Sequence, residues 1–187
     1  VDPDMGPLTT HSADHPSTSD QTTGRRSDLE IRPPALEDGA AMWRIARDTG
    51  TLDLNTSYAY LLMAHDFGAT SRLALSDGAP VGFVLGYRRP SAPETLFVWQ
   101  IGVDSSQRGK GVAGQLLDDL LAGLPEVTAL ETTITEDNTA SQRLFASFAQ
   151  RHGAREDVRE LITEGHFPDP GHGAELLHVI GPLRRET

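Results

Sequence analysis

The chain has 187 residues, 37% of them apolar, with 27 Asp and Glu against 16 Lys and Arg and a formal net charge of -11. That length and apolar content bury the core of one domain without a metal or disulfide staple, and the absence of cysteine excludes disulfide frameworks, thiolate metal sites and cysteine nucleophiles. The acid excess and a single lysine, Lys110, argue against a nucleic-acid partner. No apolar run reaches the roughly 18 residues of a membrane helix, and no basic-then-apolar leader opens the chain, so a cytoplasmic protein without a membrane partner is expected.

Residues 1–28 are dominated by Ser, Thr, Asp, Pro and Gly, with too few apolar side chains to offset the entropy of ordering; a disordered tail is expected there and a folded domain over residues 29–187. Leu29 to Arg32 reads as a short strand stopped by Pro33 and Pro34, and Leu36 to Thr49 as a helix ended by Gly50. Asn55 is placed to cap a second helix in which Tyr58, Leu61, Leu62 and His65 share a face. Ser71 to Ser76 and Pro80 to Tyr87 flank Asp77-Gly78, the dipeptide of a tight hairpin.

Thr95 to Val103 is a strand by its β-branched and aromatic content, and it runs into Arg108-Gly109-Lys110-Gly111-Val112-Ala113. A helix follows, because Val112, Leu116, Leu117, Leu120, Leu121 and Leu124 recur at helical spacing up to Pro125. Val127 to Thr135 alternates as a strand, and Asn138 caps a helix with Leu144, Phe145, Phe148 and Ala149 inward. A weak strand near Arg155 to Ile162, a loop with Pro168, Pro170 and Gly171, and a strand around Ala174 to Ile180 complete the order. The class is α/β (α+β), a mixed and mostly antiparallel sheet with helices on both faces.

Glycines at a strand-to-helix junction let successive N–H groups converge at a helix start, a geometry suited to phosphate. A P-loop is excluded, because Asp104 and Gly111 occupy the positions of its first Gly and its Ser or Thr. The strand, Arg108, the two glycines, Ala113, the leucine-rich helix and the later strand followed by Asn138 form an ordered set.

That set resembles the Gcn5-related N-acetyltransferase (GNAT) family, whose acetyl-CoA site uses Arg or Gln-x-x-Gly-x-Gly or Ala, matched here by Arg108, Gly111 and Ala113. The resemblance covers about residues 29–183 and implies the GNAT acyl-CoA N-acyltransferase fold. It implies backbone contacts to the pantetheine arm at Ile101 and Val103, a pyrophosphate held by Arg108, Gly109, Lys110, Gly111, Val112 and Ala113, and further cofactor contacts at Asn138 and Ser141.

Four blocks narrow the resemblance to the branch of the family that acetylates the 4-amino group of L-2,4-diaminobutyrate in ectoine biosynthesis: Leu52 to Tyr58, Gly82 to Pro90, Leu96 to Gln100, and Glu131 to Thr135 with Asn138. The substrate carries two ammonium groups, which acids and aromatic faces hold by charge-assisted hydrogen bonds and cation-π contact. By similarity Asp53, Tyr58 and Trp99 line its pocket, with His172 and Glu175 added from the late loop and strand. A homodimer is also implied by the resemblance.

The reactive amine must shed a proton before it attacks a thioester. Many family members carry Glu on the strand before the loop and Tyr one turn into the Asn helix; this chain has Trp99 or Gln100 and Phe145 there, so Asp53, Glu175 and His172 are the candidate bases. The seven histidines lack metal-ligand spacing, and no metal is expected. Two alternatives stay open: an acetyltransferase acting on another small amine, and a non-catalytic acyl-CoA-binding module.

Overall fold

The structure, a computed structural model, describes residues 29–183; the expected N-terminal tail lies outside them. The elements run β1 (Leu29–Arg32), α1 (Gly39–Thr49), α2 (Ser57–Asp66), β2 (Arg72–Ser76), β3 (Ala79–Arg89), β4 (Ala92–Val103), α3 (Val112–Ala122), β5 (Ala129–Thr135), α4 (Thr139–Arg151), β6 (Arg155–Ile162) and β7 (Glu175–Gly181). The sheet order is β1-β2-β3-β4-β5-β7-β6, antiparallel at every step except β4 against β5.

Alternation along the strands builds two cores. Val84, Leu96, Val98, Leu130 and Ile134 meet Leu116, Leu117 and Leu120 of α3 and Phe145 and Phe148 of α4 on one face. Leu73, Leu75, Phe83 and Leu85 meet Met42 and Ile45 of α1 and Tyr60 and Ala64 of α2 on the other. Helices on both faces leave the sheet edges and the ends of the strands as the accessible surface.

Local signals placed most boundaries. Gly50 ends α1 with φ 63, and Asp77 and Gly78 take φ 50 and 78 in the β2–β3 turn, as a tight hairpin requires. Helix α2 differs from expectation: its cap is Thr56, whose Oγ1 accepts from Ala59 N at 3.4 Å, while Asn55 turns back to donate to the Asp53 carbonyl at 3.3 Å. Its buried positions are Tyr60 and Ala64, and Tyr58, Leu62 and His65 are exposed. Apolar side chains surround α2, so periodicity left its inward face open, and contact with α1 and Phe83 selects it.

The feature that positions the site is a failure of pairing. Strands β4 and β5 pair only from Thr95–Ala129 to Val98–Thr132, although β4 continues to Val103 and β5 to Thr135. On its other side β4 carries a bulge, because Leu85 opposes Gln100 and Gly86 opposes Val98, leaving Trp99 as the extra residue. The bulge sits where β4 leaves β5, and a cleft opens between the diverging strands.

Candidate active site

The cleft has a volume of about 950 Å³ and its vertex is lined by Val98 and Thr132. Trp99, Gln100 and Ile101 form the β4 wall, Thr133 to Thr135 the β5 wall, and Asn138, Ser141 and Phe145 the α4 end. Asp53 and Asn55 close one rim, and Glu164, His172 and Glu175 the other. Sequence-distant candidates therefore converge: Asp53, Trp99, Ile101, Asn138, Ser141, His172 and Glu175 share one cavity.

Each is set by its element. Trp99, as the bulged residue, leaves the core and is 36% exposed, its ring centroid 6.5 Å from that of Tyr60. Gln100 points the other way and is buried: its Oε1 accepts from Tyr60 Oη at 2.7 Å and its Nε2 donates to the Asp53 carbonyl at 3.0 Å. Burial pushes the Tyr60 phenol above its ordinary value, so it remains a neutral donor. Gln100 is thus committed to holding the loop that carries Asp53.

On the opposite rim, Glu175 opens β7 opposite Thr135. His172 stacks on Phe167 at 4.4 Å, and its Nε2 lies 3.1 Å from Asp169 Oδ2, which orients a ring otherwise free in a glycine-flanked loop. Tyr58 is not brought into this cavity within the chain: it is 69% exposed at the start of α2. Tyr60 of the same helix is fully buried and does not line the cavity; it lies behind Trp99 and Gln100, which do.

At the far end, Gly109 and Gly111 both take φ 76, a left-handed conformation that a side chain would strain. Gly111 opens α3 with no side-chain cap, and the amides of Val112, Ala113 and Gly114 donate to no protein carbonyl among the described residues. Those N–H groups and the helix dipole are chemically suited to an anion. Lys110 is exposed beside them, Ala113 is half-buried, and Val112 is buried in the core and contributes its amide alone. Arg108 donates through Nη2 to the Thr49 carbonyl at 3.2 Å, tying the loop to the end of α1. Val103 closes β4 opposite Gly82, outside the cleft lining. Asn138 caps α4, its Oδ1 accepting from Ser141 N at 3.1 Å, which leaves its amide NH₂ for a ligand.

Several lining groups went unmarked in the sequence. Glu136, Asp137 and Glu164 join Asp53 and Glu175 around the cleft, and among the described residues no Lys or Arg lines it. Glu136 and Asp137 lie in a turn and Glu164 opens a single 3-10 turn, segments too short for periodicity to point inward. The exposed Arg143 also stands beside Gly111 and Gly114 in a second depression of about 500 Å³. Its signal was available, since it follows Asn138 by little more than one helical turn. No cluster of three or more His, Asp or Glu placed to hold a metal ion occurs among the described residues.

The geometry combines a splayed parallel strand pair, a bulge, and an uncapped helix start after the longer strand. Residues 39–149 match the acetyltransferase (GNAT) family, more than half of the chain. The chain belongs to the acetyltransferase (GNAT) family. Its GNAT relatives include the L-2,4-diaminobutyric acid acetyltransferase of Streptomyces coelicolor, 53% identical over 165 residues that cover 86% of this chain and 97% of the relative. The enzyme of the same name from Streptomyces avermitilis is 52% identical, covering 83% and 89%. Among solved structures, diaminobutyrate acetyltransferase EctA from Paenibacillus lautus, in complex with its substrate L-2,4-diaminobutyric acid and coenzyme A, superposes with a TM-score of 0.81 at 38% identity, covering 86% of this chain and 99% of that one.

Proposed function

We propose that this GNAT enzyme transfers the acetyl group of acetyl-CoA to the 4-amino group of L-2,4-diaminobutyrate, the acetylation step of ectoine biosynthesis. The observation that carries the reading is the charge of the cleft: Asp53, Glu136, Asp137, Glu164 and Glu175 face it without a Lys or Arg among the described residues. A dicationic amino acid is drawn into such a field, and an anionic acceptor is repelled. The relatives named for this activity support the same substrate.

The chain's groups divide the work by chemistry. Open amides of Val112, Ala113 and Gly114, with Lys110 and Arg143, suit the CoA phosphates. The unpaired edge of β4 at Ile101 suits the pantetheine amides, which brings the thioester to the vertex at Val98 and Thr132. Asp53 and Glu175, on opposite rims, suit the two ammonium groups, and the Trp99 face adds cation-π contact. Holding amine and thioester together removes much of the entropic barrier before any proton moves.

Residence in the cytoplasm and a homodimer belong to the same proposal. No helix among the described residues is long and apolar enough to cross a membrane. Edge strand β6 exposes Val158 and Leu161, apolar side chains that a second copy would cover.

The test is CoA release, followed with a thiol reagent, with L-2,4-diaminobutyrate against ornithine, lysine and putrescine. A kcat/KM for diaminobutyrate at least about tenfold above the others is expected, a difference of about 1.4 kcal/mol in transition-state binding. Equal values would assign a broader amine acetyltransferase, and binding of acetyl-CoA without turnover of any amine would leave only a binding module.

A further inference from the structure

The α4 position that faces the cleft vertex is Phe145, which has no proton to give or take, yet another hydroxyl stands at that vertex. Thr132 is the last β5 residue paired with β4, lines the cleft and is 4% exposed. Across the sheet its register partner on β7 is His178, so their side chains stand on one face with Cβ atoms about 5 Å apart. That is the α3 and α4 face, because Leu130, Ile134 and Ile180 of the same alternation lie in the core there.

His178 is buried, and its Nδ1 lies 2.7 Å from Glu156 Oε1. An ionised carboxylate only accepts, so Nδ1 carries the hydrogen, and in the neutral imidazole that leaves Nε2 as a bare acceptor. Nε2 is also the buried side-chain atom left without a partner among the described residues. Such an atom costs stability and calls for a reason. Thr132 Oγ1 makes no hydrogen bond to Nε2 here, but the strand order β5-β7-β6 sets hydroxyl, imidazole and carboxylate side by side on one face, the residue types by which a base held by an acid serves a hydroxyl.

We propose that Thr132, backed by His178 and Glu156, carries the proton of acetyl transfer in this enzyme. The proposal rests on the acetyl-transfer reading above. The ammonium sheds its first proton to solvent through the open cleft. As the amine nitrogen bonds to the thioester carbonyl carbon, its remaining surplus proton passes to Thr132 Oγ while the Oγ–H passes to His178 Nε2. Glu156 holds the resulting imidazolium. The C–S bond then breaks with its electron pair on sulfur, and the proton returns from Nε2 through Oγ to the thiolate, leaving amide, thiol and neutral imidazole. Thr132 touches the reacting atoms; His178 and Glu156 are positioning residues that act through it.

The test uses the full chain, with CoA release for turnover and calorimetry for acetyl-CoA affinity. Thr132→Val, nearly isosteric, should lower kcat about a hundredfold, and Thr132→Ser should restore it to within about fivefold of wild type. Acetyl-CoA affinity should change by no more than about threefold in either variant, which a collapsed cleft would not allow. His178→Gln should lower kcat like Thr132→Val, and the double variant should fall no further than about threefold below the weaker single, since members of one relay are not additive. Should His178→Gln fail to fold, Glu156→Gln takes its place in the cycle. Wild-type turnover with an equally active Thr132→Val would overturn the relay alone, as would losses that multiply in the double variant. A wild-type protein that releases no CoA with any amine would overturn the acetyl-transfer reading and the relay with it.

Discussion

Tyr60 and Gln100, forty residues apart, meet in a buried hydrogen bond of 2.7 Å that fixes one wall of the cleft. The same Gln100 amide donates to the Asp53 carbonyl at 3.0 Å, so a helix, a central strand and the loop that carries Asp53 are joined through one side chain. Tyr60→Phe leaves Gln100 Oε1 buried without a donor, at a cost of about 1–3 kcal/mol. A lower urea midpoint is expected, with a raised KM for the amine and a nearly unchanged KM for acetyl-CoA. Because burial raises the Tyr60 phenol, the folded state keeps a proton that the unfolded state loses above about pH 10. This contribution to stability is present below that pH and is lost as pH rises through the folded value. Melts across the alkaline limb should therefore fall less steeply in Tyr60→Phe than in wild type.

The same pair shows where sequence reading stops. Local rules reached the elements themselves: Gly50, Asp77-Gly78, Asn138 and the α3 leucines each set a boundary or a buried face that needs only neighbours in sequence. The glycine turn at the start of α3 was legible for the same reason, since φ 76 at Gly109 and Gly111 is a demand of the backbone alone. Tertiary choices were not. Tyr58 and Tyr60 are equally plausible inward residues on a largely apolar helix, and only the contacts with Phe83 and Gln100 determine that Tyr60 is the buried one. The bulge at Trp99 has no local mark, because it follows from the register of β3 against β4. His178 reads as one residue in a late strand until the β5–β7 register puts it behind Thr132.

The ion pair Arg32–Asp38 should set part of the acid limit of the fold. Asp38 accepts from both guanidinium nitrogens at 2.8 and 3.0 Å and from Ala35 N at 2.7 Å, clamping β1 to the entry of α1. Hydrogen bonding to Arg32 holds its carboxyl below the usual range, against the opposing effect of burial. A depressed folded value means the stabilisation is present above about pH 4 and disappears as pH falls through the folded pKa. Arg32 is 37% exposed, so solvent screening limits the pair to about 1 kcal/mol. Asp38→Asn should melt earlier at pH 7 by that amount and lose less of its stability between pH 5 and pH 2 (roughly, by linkage) than wild type does.

Gly39 marks the closest approach of α1 to α2. A Cβ there would stand 2.8 Å from Leu61 Cα, a backbone atom that cannot swing aside. Gly39→Ala should destabilise the fold by about 1–3 kcal/mol through overpacking. Gly50→Ala differs, since a Cβ meets nothing within 4 Å and only the positive φ of 63 resists it; about 1 kcal/mol is expected there. Chemical denaturation of the two variants separates steric from conformational cost. A smaller loss at Gly39 than at Gly50 would contradict the helix packing described.

Asp53 and Glu175 stand on the two rims of the cleft and make the same demand of a cationic substrate. If they hold ammonium groups, Asp53→Asn and Glu175→Gln each weaken a charge-assisted hydrogen bond and should raise the KM for diaminobutyrate about tenfold or more, near the 1.5–3 kcal/mol of such a bond. The value of kcat should stay within about threefold, because uniform binding and not the transition state is affected. His172 stands apart, since its ring is set by Phe167 and Asp169; His172→Ala should leave acetyl-CoA affinity intact while raising the amine KM. A kcat loss of about a hundredfold in Glu175→Gln with KM unchanged would instead make Glu175 the base. That outcome and an intact Thr132→Val would together move the proton path from the vertex of the cleft to its rim.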